Sequence, residues 1–206
     1  MPDVPTRTST LDVWLRAIAS PTISPAGGSS AAIAACAAAA LVEMSASLTA
    51  SRESYALVHE EAKAARARAE GLRQELLTLA AADAGALQRF ADALALPRGS
   101  DAEKELRERE KRSALREGAE IQRDVLAACG EVAVLGLAMA ERGLETARAD
   151  AATAVFLAAG AARSAAMAIG VNLAKEPKGS EFTRIVEATP AKLKIVEEAE
   201  RQLRPR

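Results

Sequence analysis

Leu11, Trp14, Leu15 and Ile18 recur at the three-and-four spacing of a helix face, and Ser9-x-x-Asp12 ahead of them has the form of a capping box. Ser20-Pro21-Thr22-Ile23-Ser24-Pro25 cannot continue that helix, because each proline lacks a donor and restricts the residue before it. After the turn Ala26-Gly27-Gly28-Ser29-Ser30 an alanine-rich helix runs to about Ala50, with a weak junction at Ser51–Glu53. The periodic stretch from Tyr55 to Leu96 would measure about 63 Å as one helix, so a bend is expected near Gly71 or Gly85. Pro97-Arg98-Gly99 is a stop, and Ser100-x-x-Glu103 caps a helix that ends at Gly143. Its charged first turns offer the acid-first pairs Glu103/Arg107, Glu105/Arg109 and Glu108/Arg112, read as a solvated face. A further apolar helix spans Thr146 to Ala174. After Pro177-Lys178-Gly179 the last element starts near Ser180, with Thr189 placed to cap a new helix that has Pro190 in its first turn.

The stretches 31–42 and 151–171 are apolar around the whole helix circumference, which predicts burial on every side. They are placed as an alanine-rich central pair, wrapped by the more amphipathic helices. The expected fold is therefore all-α, a bundle of about five to seven helices in one domain over residues 1–206, with 1–8 as a flexible lead-in. Composition agrees: 51 of 206 residues are alanine and only five are aromatic, which argues against sandwiches, barrels and doubly wound sheets. Alanine buries little area, so the core of one subunit is thin, and dimerisation through a helical face is expected.

Charge and special residues narrow the function classes. With Lys+Arg 27 against Asp+Glu 28 and no block of one sign, the basic, aromatic-bearing footprint of a nucleic-acid binder is missing. A single histidine, His59, cannot build an HExxH zinc site or a di-iron bundle, and reads as a polar residue on a helix face beside Glu60 and Glu61. No GxSxG elbow is present. Cys36 and Cys129 lie far apart in apolar context and read as reduced core residues. Residues 1–8 are polar, and the charge-free runs Ser29–Val42 and Ala151–Ala162 fall short of a bilayer span, so a soluble, cytoplasmic chain is expected.

Three features carry candidate chemistry. Ser24-Pro25-Ala26-Gly27-Gly28-Ser29-Ser30 opens a helix, where free N–H groups favour an anion and glycine admits a ligand to the backbone; an interhelical turn accounts for the same residues. Asp83 stands alone beside the apolar run Leu76–Ala82. It is either a desolvated acid with a pKa raised towards proton transfer, or an acid at the solvent edge of the stripe. Asp150 follows the Gly143 stop on the helix that later carries Asn172, as a catalytic carboxylate or a simple dipole partner.

The chain resembles the cyclodeaminase/cyclohydrolase family, which comprises the C-terminal domain of formiminotransferase-cyclodeaminase and the stand-alone methenyltetrahydrofolate cyclohydrolase. The resemblance runs from Thr10-Leu11 to the last helix. It rests on the order of the proline-glycine turn with Ala31-Ala32, Ala40-Leu41-Val42-Glu43-Met44, Leu48-Thr49, Tyr55, Asp83, Leu94-Ala95-Leu96-Pro97-Arg98, Ala140-Glu141-Arg142-Gly143, Asp150, Arg163-Ser164-Ala165-Ala166 and Val171-Asn172. It implies a homodimeric helical bundle acting on one-carbon tetrahydrofolates without metal or redox cofactor. The reaction is closure of 5-formiminotetrahydrofolate with loss of ammonia, or hydrolysis of 5,10-methenyltetrahydrofolate to the 10-formyl form. By the same resemblance Pro25, Gly27, Gly28 and Ser29 line the folate site, Asp83 and Asp150 supply acid/base or orienting carboxylates, and Asn172 a positioning amide.

There are departures. Ala26 replaces the first glycine of a triple, Leu144 and Thr146 replace two asparagines after Gly143, and Ala168 replaces another. Ile121-Gln122-Arg123 stands for Val-Pro-Leu, and Arg116 for a lysine. Lost amides weaken a site built on hydrogen bonds. A second reading therefore stays open: a family member that keeps the bundle and binds another small ligand or a protein partner.

Overall fold

In the computed structural model, which describes residues 4–203, helices end at the expected breaks around Ser20–Pro25, Ser51–Glu53, Pro97–Gly99, Gly143 and Pro177–Gly179. The described residues form six α-helices: α1 (Leu11–Ala19), α2 (Gly27–Ala50), α3 (His59–Ala95), α4 (Asp101–Arg142), α5 (Arg148–Asn172) and α6 (Thr183–Leu203). Two short 3-10 turns, Glu53–Val58 and Glu145–Ala147, precede α3 and α5. Ser100 caps α4 reciprocally with Glu103, and α4 ends at Gly143, as the sequence predicts.

Local chemistry differs at four places. Thr10, not Ser9, caps α1 by accepting from the Val13 N–H, while the Ser9 hydroxyl accepts from the Thr6 N–H instead. Of the expected lead-in, residues 1–3 lie outside the described residues, and Pro5 is buried with Val4 packed on the core. The helix break falls at Tyr55 (φ −111°, ψ 20°) inside the first 3-10 turn, and α3 then passes Gly71 and Gly85 without interruption. Glycine weakens a helix by about 1 kcal/mol. Here Leu72, Leu76, Ala80 and Ala84 are fully buried along the same helix, and the guanidinium groups of Arg68 and Arg89 lie over the two glycines. Each arginine is tied to α4, Arg68 to Glu131 and Arg89 to Glu117. Finally, α6 runs through Pro190 with Thr189 donating back to the Ile185 carbonyl, so Thr189 starts no new helix.

The charged start of α4 also pairs otherwise. Glu103 is used in the cap, Arg107 reaches the Leu94 carbonyl, and Glu108 takes Lys111 one position nearer than Arg112.

Helix α2 packs on α3 and α5, and α4 on α3, α5 and α6. Fully buried Ala32, Ala35, Ala38 and Ala39 of α2 and Ala154, Ala158, Ala162 and Ala165 of α5 join one core with Leu126, Val132 and Ile169. These two helices are not buried on every side, however. Met44 and Leu48 of α2 and Phe156, Met167 and Val171 of α5 face outward. By length and apolar composition alone, α2 and the span Glu145–Asn172 are each long enough to cross a bilayer, which the short charge-free runs did not predict; 44% of each window is buried in the bundle. Cys129 is buried, which pushes its thiol up to about 12, and Cys36 is half-buried; both are free. His59 opens α3, half-buried, with its Nε2 2.7 Å from the Arg52 carbonyl.

Candidate active site

The glycine turn is anchored before it becomes a helix. Ser24 donates its hydroxyl to the Ala84 carbonyl at 2.7 Å, which fixes the turn beside the α3 residue that follows Asp83. Pro25 is buried behind a cis peptide bond. No side chain caps α2 at Ala26, and of its first amides the Ser29 N–H is bonded to Asp83 instead. The two glycines differ. Gly27 is exposed and a Cβ there would touch nothing within 4 Å, whereas at Gly28 a Cβ would stand 2.3 Å from Asp83 Oδ1 and 2.5 Å from Gln122 Nε2. Gly28 is therefore needed for the close approach of an acid, and Gly27 is not.

Asp83 is only 8% exposed. Its Oδ2 accepts from the Ser29 hydroxyl at 2.9 Å and its Oδ1 from Gln122 Nε2 at 2.7 Å, so α2 and α4 each hold one oxygen of an α3 carboxylate. Burial raises its pKa above the usual carboxylate range; the bonds from Gln122 and from the Ser29 side chain and backbone oppose that rise without cancelling it. Of the two sequence readings, the desolvated acid is the one the fold adopts.

Asn172, at the end of α5, reaches the same place. Its Nδ2 lies over Gly118 of α4, where a Cβ would approach to 2.8 Å. Between these groups is a hollow of about 100 Å³, walled by Gly28, Asp83, Phe90, Gly118, Ala168 and Asn172 among others. Beyond Asn172 the chain is closed down by Arg116, which grips Glu176 with two bonds of 2.9 Å and lies 4.6 Å from the Phe182 ring centre. Arg116 holds the Glu176 carboxyl below its usual range.

Larger hollows lie elsewhere. One of about 640 Å³ is a charged trough along α4 at Arg112, Arg116 and Phe182, and one of about 440 Å³ is an apolar groove at Leu126, Val134 and Ile195. Neither contains a buried ionisable side chain, so the small hollow is the chemically equipped one. Among the described residues no group of three or more His, Cys, Asp or Glu is clustered as a metal site would require.

The structure thus brings Gly28, Asp83 and Asn172 to one hollow and joins Ser29 to Asp83 behind it, while Pro25 and Gly27 precede Gly28 in the turn and do not line that hollow. It does not bring Asp150 to them. Asp150 sits in the first turn of α5 and Asn172 at its last residue, so about 33 Å of helix separates them within one chain. Sequence reasoning also missed two residues, Gln122 and Gly118. They are four apart on one face of α4 and so point the same way. The available signal was an amide on a face otherwise made of Ala119, Leu126 and Cys129; the role of Gly118 had none.

Residues 10–189 match the family model described as formiminotransferase-cyclodeaminase. The chain is 34% identical over 163 residues to a methenyltetrahydrofolate cyclohydrolase of Methylorubrum extorquens, covering 79% of this chain and 78% of that one. The crystal structure of a formiminotetrahydrofolate cyclodeaminase from Thermotoga maritima superposes with a TM-score of 0.80 at 23% identity, covering 95% of this chain and 96% of that one. That last likeness concerns the fold.

Proposed function

The chain belongs to the formiminotransferase-cyclodeaminase family, a family of folate one-carbon enzymes, and from that premise we propose that it acts on the carbon bridging N5 and N10 of tetrahydrofolate, with Asp83 moving the proton. The observation that carries this reading is a single buried carboxylate on the wall of a hollow, held at both oxygens and raised in pKa. A group so placed can act at neutral pH as a base of more than ordinary carboxylate strength, and as an acid after it is protonated.

In the hydrolytic direction, water adds to the methenyl carbon and gives its proton to Asp83, leaving a tetrahedral carbon that bears a hydroxyl. The C–N5 bond then breaks, N5 takes a proton back from Asp83, and the hydroxyl proton is lost as the formyl carbonyl forms on N10. In the deaminating direction N10 attacks the carbon of the protonated formimino group, its proton passes to Asp83, and the NH2 group on the tetrahedral carbon collects that proton and leaves as ammonia, giving the methenyl cation. Asn172 orients the ring system and the ring of Phe90 offers it a stacking face.

The same reading includes a homodimer, with the alanine-rich α2 and α5 as the middle pair and their outward faces meeting a second copy. Two observations support it. Met44, Leu48, Phe156, Met167 and Val171 are exposed apolar side chains on those helices. The hollow within one chain is about 100 Å³, below the roughly 300–1,000 Å³ of ordinary small-molecule sites.

The test is direct. Purified protein should accelerate the loss of 5,10-methenyltetrahydrofolate absorbance, or release ammonia from the formimino substrate, and Asp83→Asn should stop whichever occurs. Neither reaction exceeding the buffer blank would end the proposal. For the dimer, sedimentation should give twice the chain mass, falling to one chain in Met167→Glu.

A further inference from the structure

Gln122 is fully buried and is the only side-chain amide that touches Asp83 in the described hydrogen-bond pattern. Its Nε2 donates to Asp83 Oδ1, while its Oε1 is buried with no partner at all. An orphaned carbonyl oxygen in a core is unfavourable, and a methionine or leucine of similar length would fill the space without it. The second group on Asp83, the Ser29 hydroxyl, shares one property with a carboxamide: each can either donate or accept. An arginine in place of Gln122 would fix the acid in its charged form, and a backbone carbonyl would fix it neutral.

We propose that Gln122 is a positioning residue that follows Asp83 through its proton cycle, donating through Nε2 to the carboxylate and turning its amide over to accept the acid proton through Oε1. Either orientation leaves one end of the amide unpaired. Turning over therefore exchanges one orphan for another, and neither protonation state is excluded by a lost bond. The carboxyl group stays in place while the proton leaves and returns, which the proton transfer proposed above requires and on which this inference rests.

The charged groups around Asp83 do not interfere. On α3 and α4, Arg89 is paired with Glu117, Arg116 with the loop residue Glu176, and Arg123 with Asp124; on α5 Arg163 is paired with Glu200. On α2 Glu43 is paired with Arg73. None of them contributes to the raised affinity of Asp83 for its proton, which comes from burial against the bonds from Gln122 and Ser29.

The test needs no substrate. Infrared titration of protein labelled with ¹³C in its aspartate carboxyls, with Asp83→Asn as the blank, reads the protonation of Asp83. Carbonyl and amide NMR signals of the Gln122 side chain are followed over the same pH range. The Gln122 carbonyl should gain a hydrogen bond with the midpoint of Asp83, and this change should vanish in Asp83→Asn. In Gln122→Met the Asp83 midpoint should rise by about one pH unit, because a bond to a charged acceptor is the stronger of the two lost. In Gln122→Glu, where two buried acids share one proton, it should rise by about two or more. In the turnover assay Gln122→Met should lose about tenfold in kcat with KM nearly unchanged, its pH profile moving with the infrared midpoint. A Gln122 carbonyl that ignores the protonation of Asp83, or an Asp83 midpoint unmoved by both substitutions, would overturn the proposal. Both spectroscopic results stand whether or not a tetrahydrofolate is turned over, so a wrong substrate and a wrong role for Gln122 are told apart.

Discussion

The two ends of the bundle use the same materials, glycine and small polar side chains, and reach opposite results. At one end Gly28 and Gly118 leave room for Asp83 and Asn172, an acid is buried, and the Gln122 oxygen behind it stays unpaired. At the other, Gly143 packs against Thr49, whose hydroxyl accepts from the Leu144 N–H at 2.9 Å and donates to the Ser45 carbonyl at 2.8 Å. There Tyr55 accepts from the Glu145 N–H at 3.0 Å, so the hydroxyls close the turn between α4 and α5. What separates the ends is a carboxylate: neutral hydroxyls can pair with backbone groups and seal a joint, whereas a buried acid retains an unmet preference for its proton, and that makes chemistry available.

The sharpest way to break this contrast is Asp83→Asn, which should cut kcat by roughly 10²–10⁴ in the absorbance assay while the chain stays folded by circular dichroism. The same variant tests the electrostatics. Because burial raises the Asp83 pKa, the folded chain binds that proton more tightly than the unfolded one. Its contribution to stability is full below the unfolded carboxyl value and declines as pH rises through the higher folded value. Urea melts from pH 3 to 8 should show this decline in the parent and a flatter profile in Asp83→Asn.

Next in size is Gly28→Ala, expected to lose about 10²-fold in kcat by displacing the acid, with Gly27→Ala close to the parent in the same assay. Equal effects at the two positions would mean that contact with Asp83 is not what Gly28 is for. At the far end, Thr49→Val should cost about 1–2 kcal/mol, read as a Tm lower by a few degrees, and leave kcat alone. The smallest effect is expected from Asp150→Asn, which should keep near-parental kcat. A loss as deep as that of Asp83→Asn would instead mean that a second subunit delivers its Asp150 to this hollow.

The periodic positions, the prolines and the Ser100 cap made the helices legible, since each acts on its own turn of backbone. Misreadings arose where distant groups intervened. Gly71 and Gly85 bend α3 nowhere because Arg68 and Arg89 brace it to α4, and Pro190 starts no helix because the core holds α6 through it. In the site, Gly28, Ser29, Asp83 and Asn172 could be picked out by type and by resemblance. Gln122 could not, since its role exists only where α4 crosses α3. Asp150 stood beside Asp83 as a candidate carboxylate in the sequence, and only the fold separated them, by burying Asp83 and leaving Asp150 at the far end of α5 from Asn172.

By itself the sequence determined what depends on neighbours along the chain: an all-helical fold, its main breaks, and the family that the order of its motifs marks. Tertiary structure alone decided which carboxylate loses its water, which glycine gives it room and which amide stands behind it. Desolvation and hydrogen-bond pairing depend on what α2 and α4 bring within about 3 Å of Asp83, across as many as 54 positions of chain.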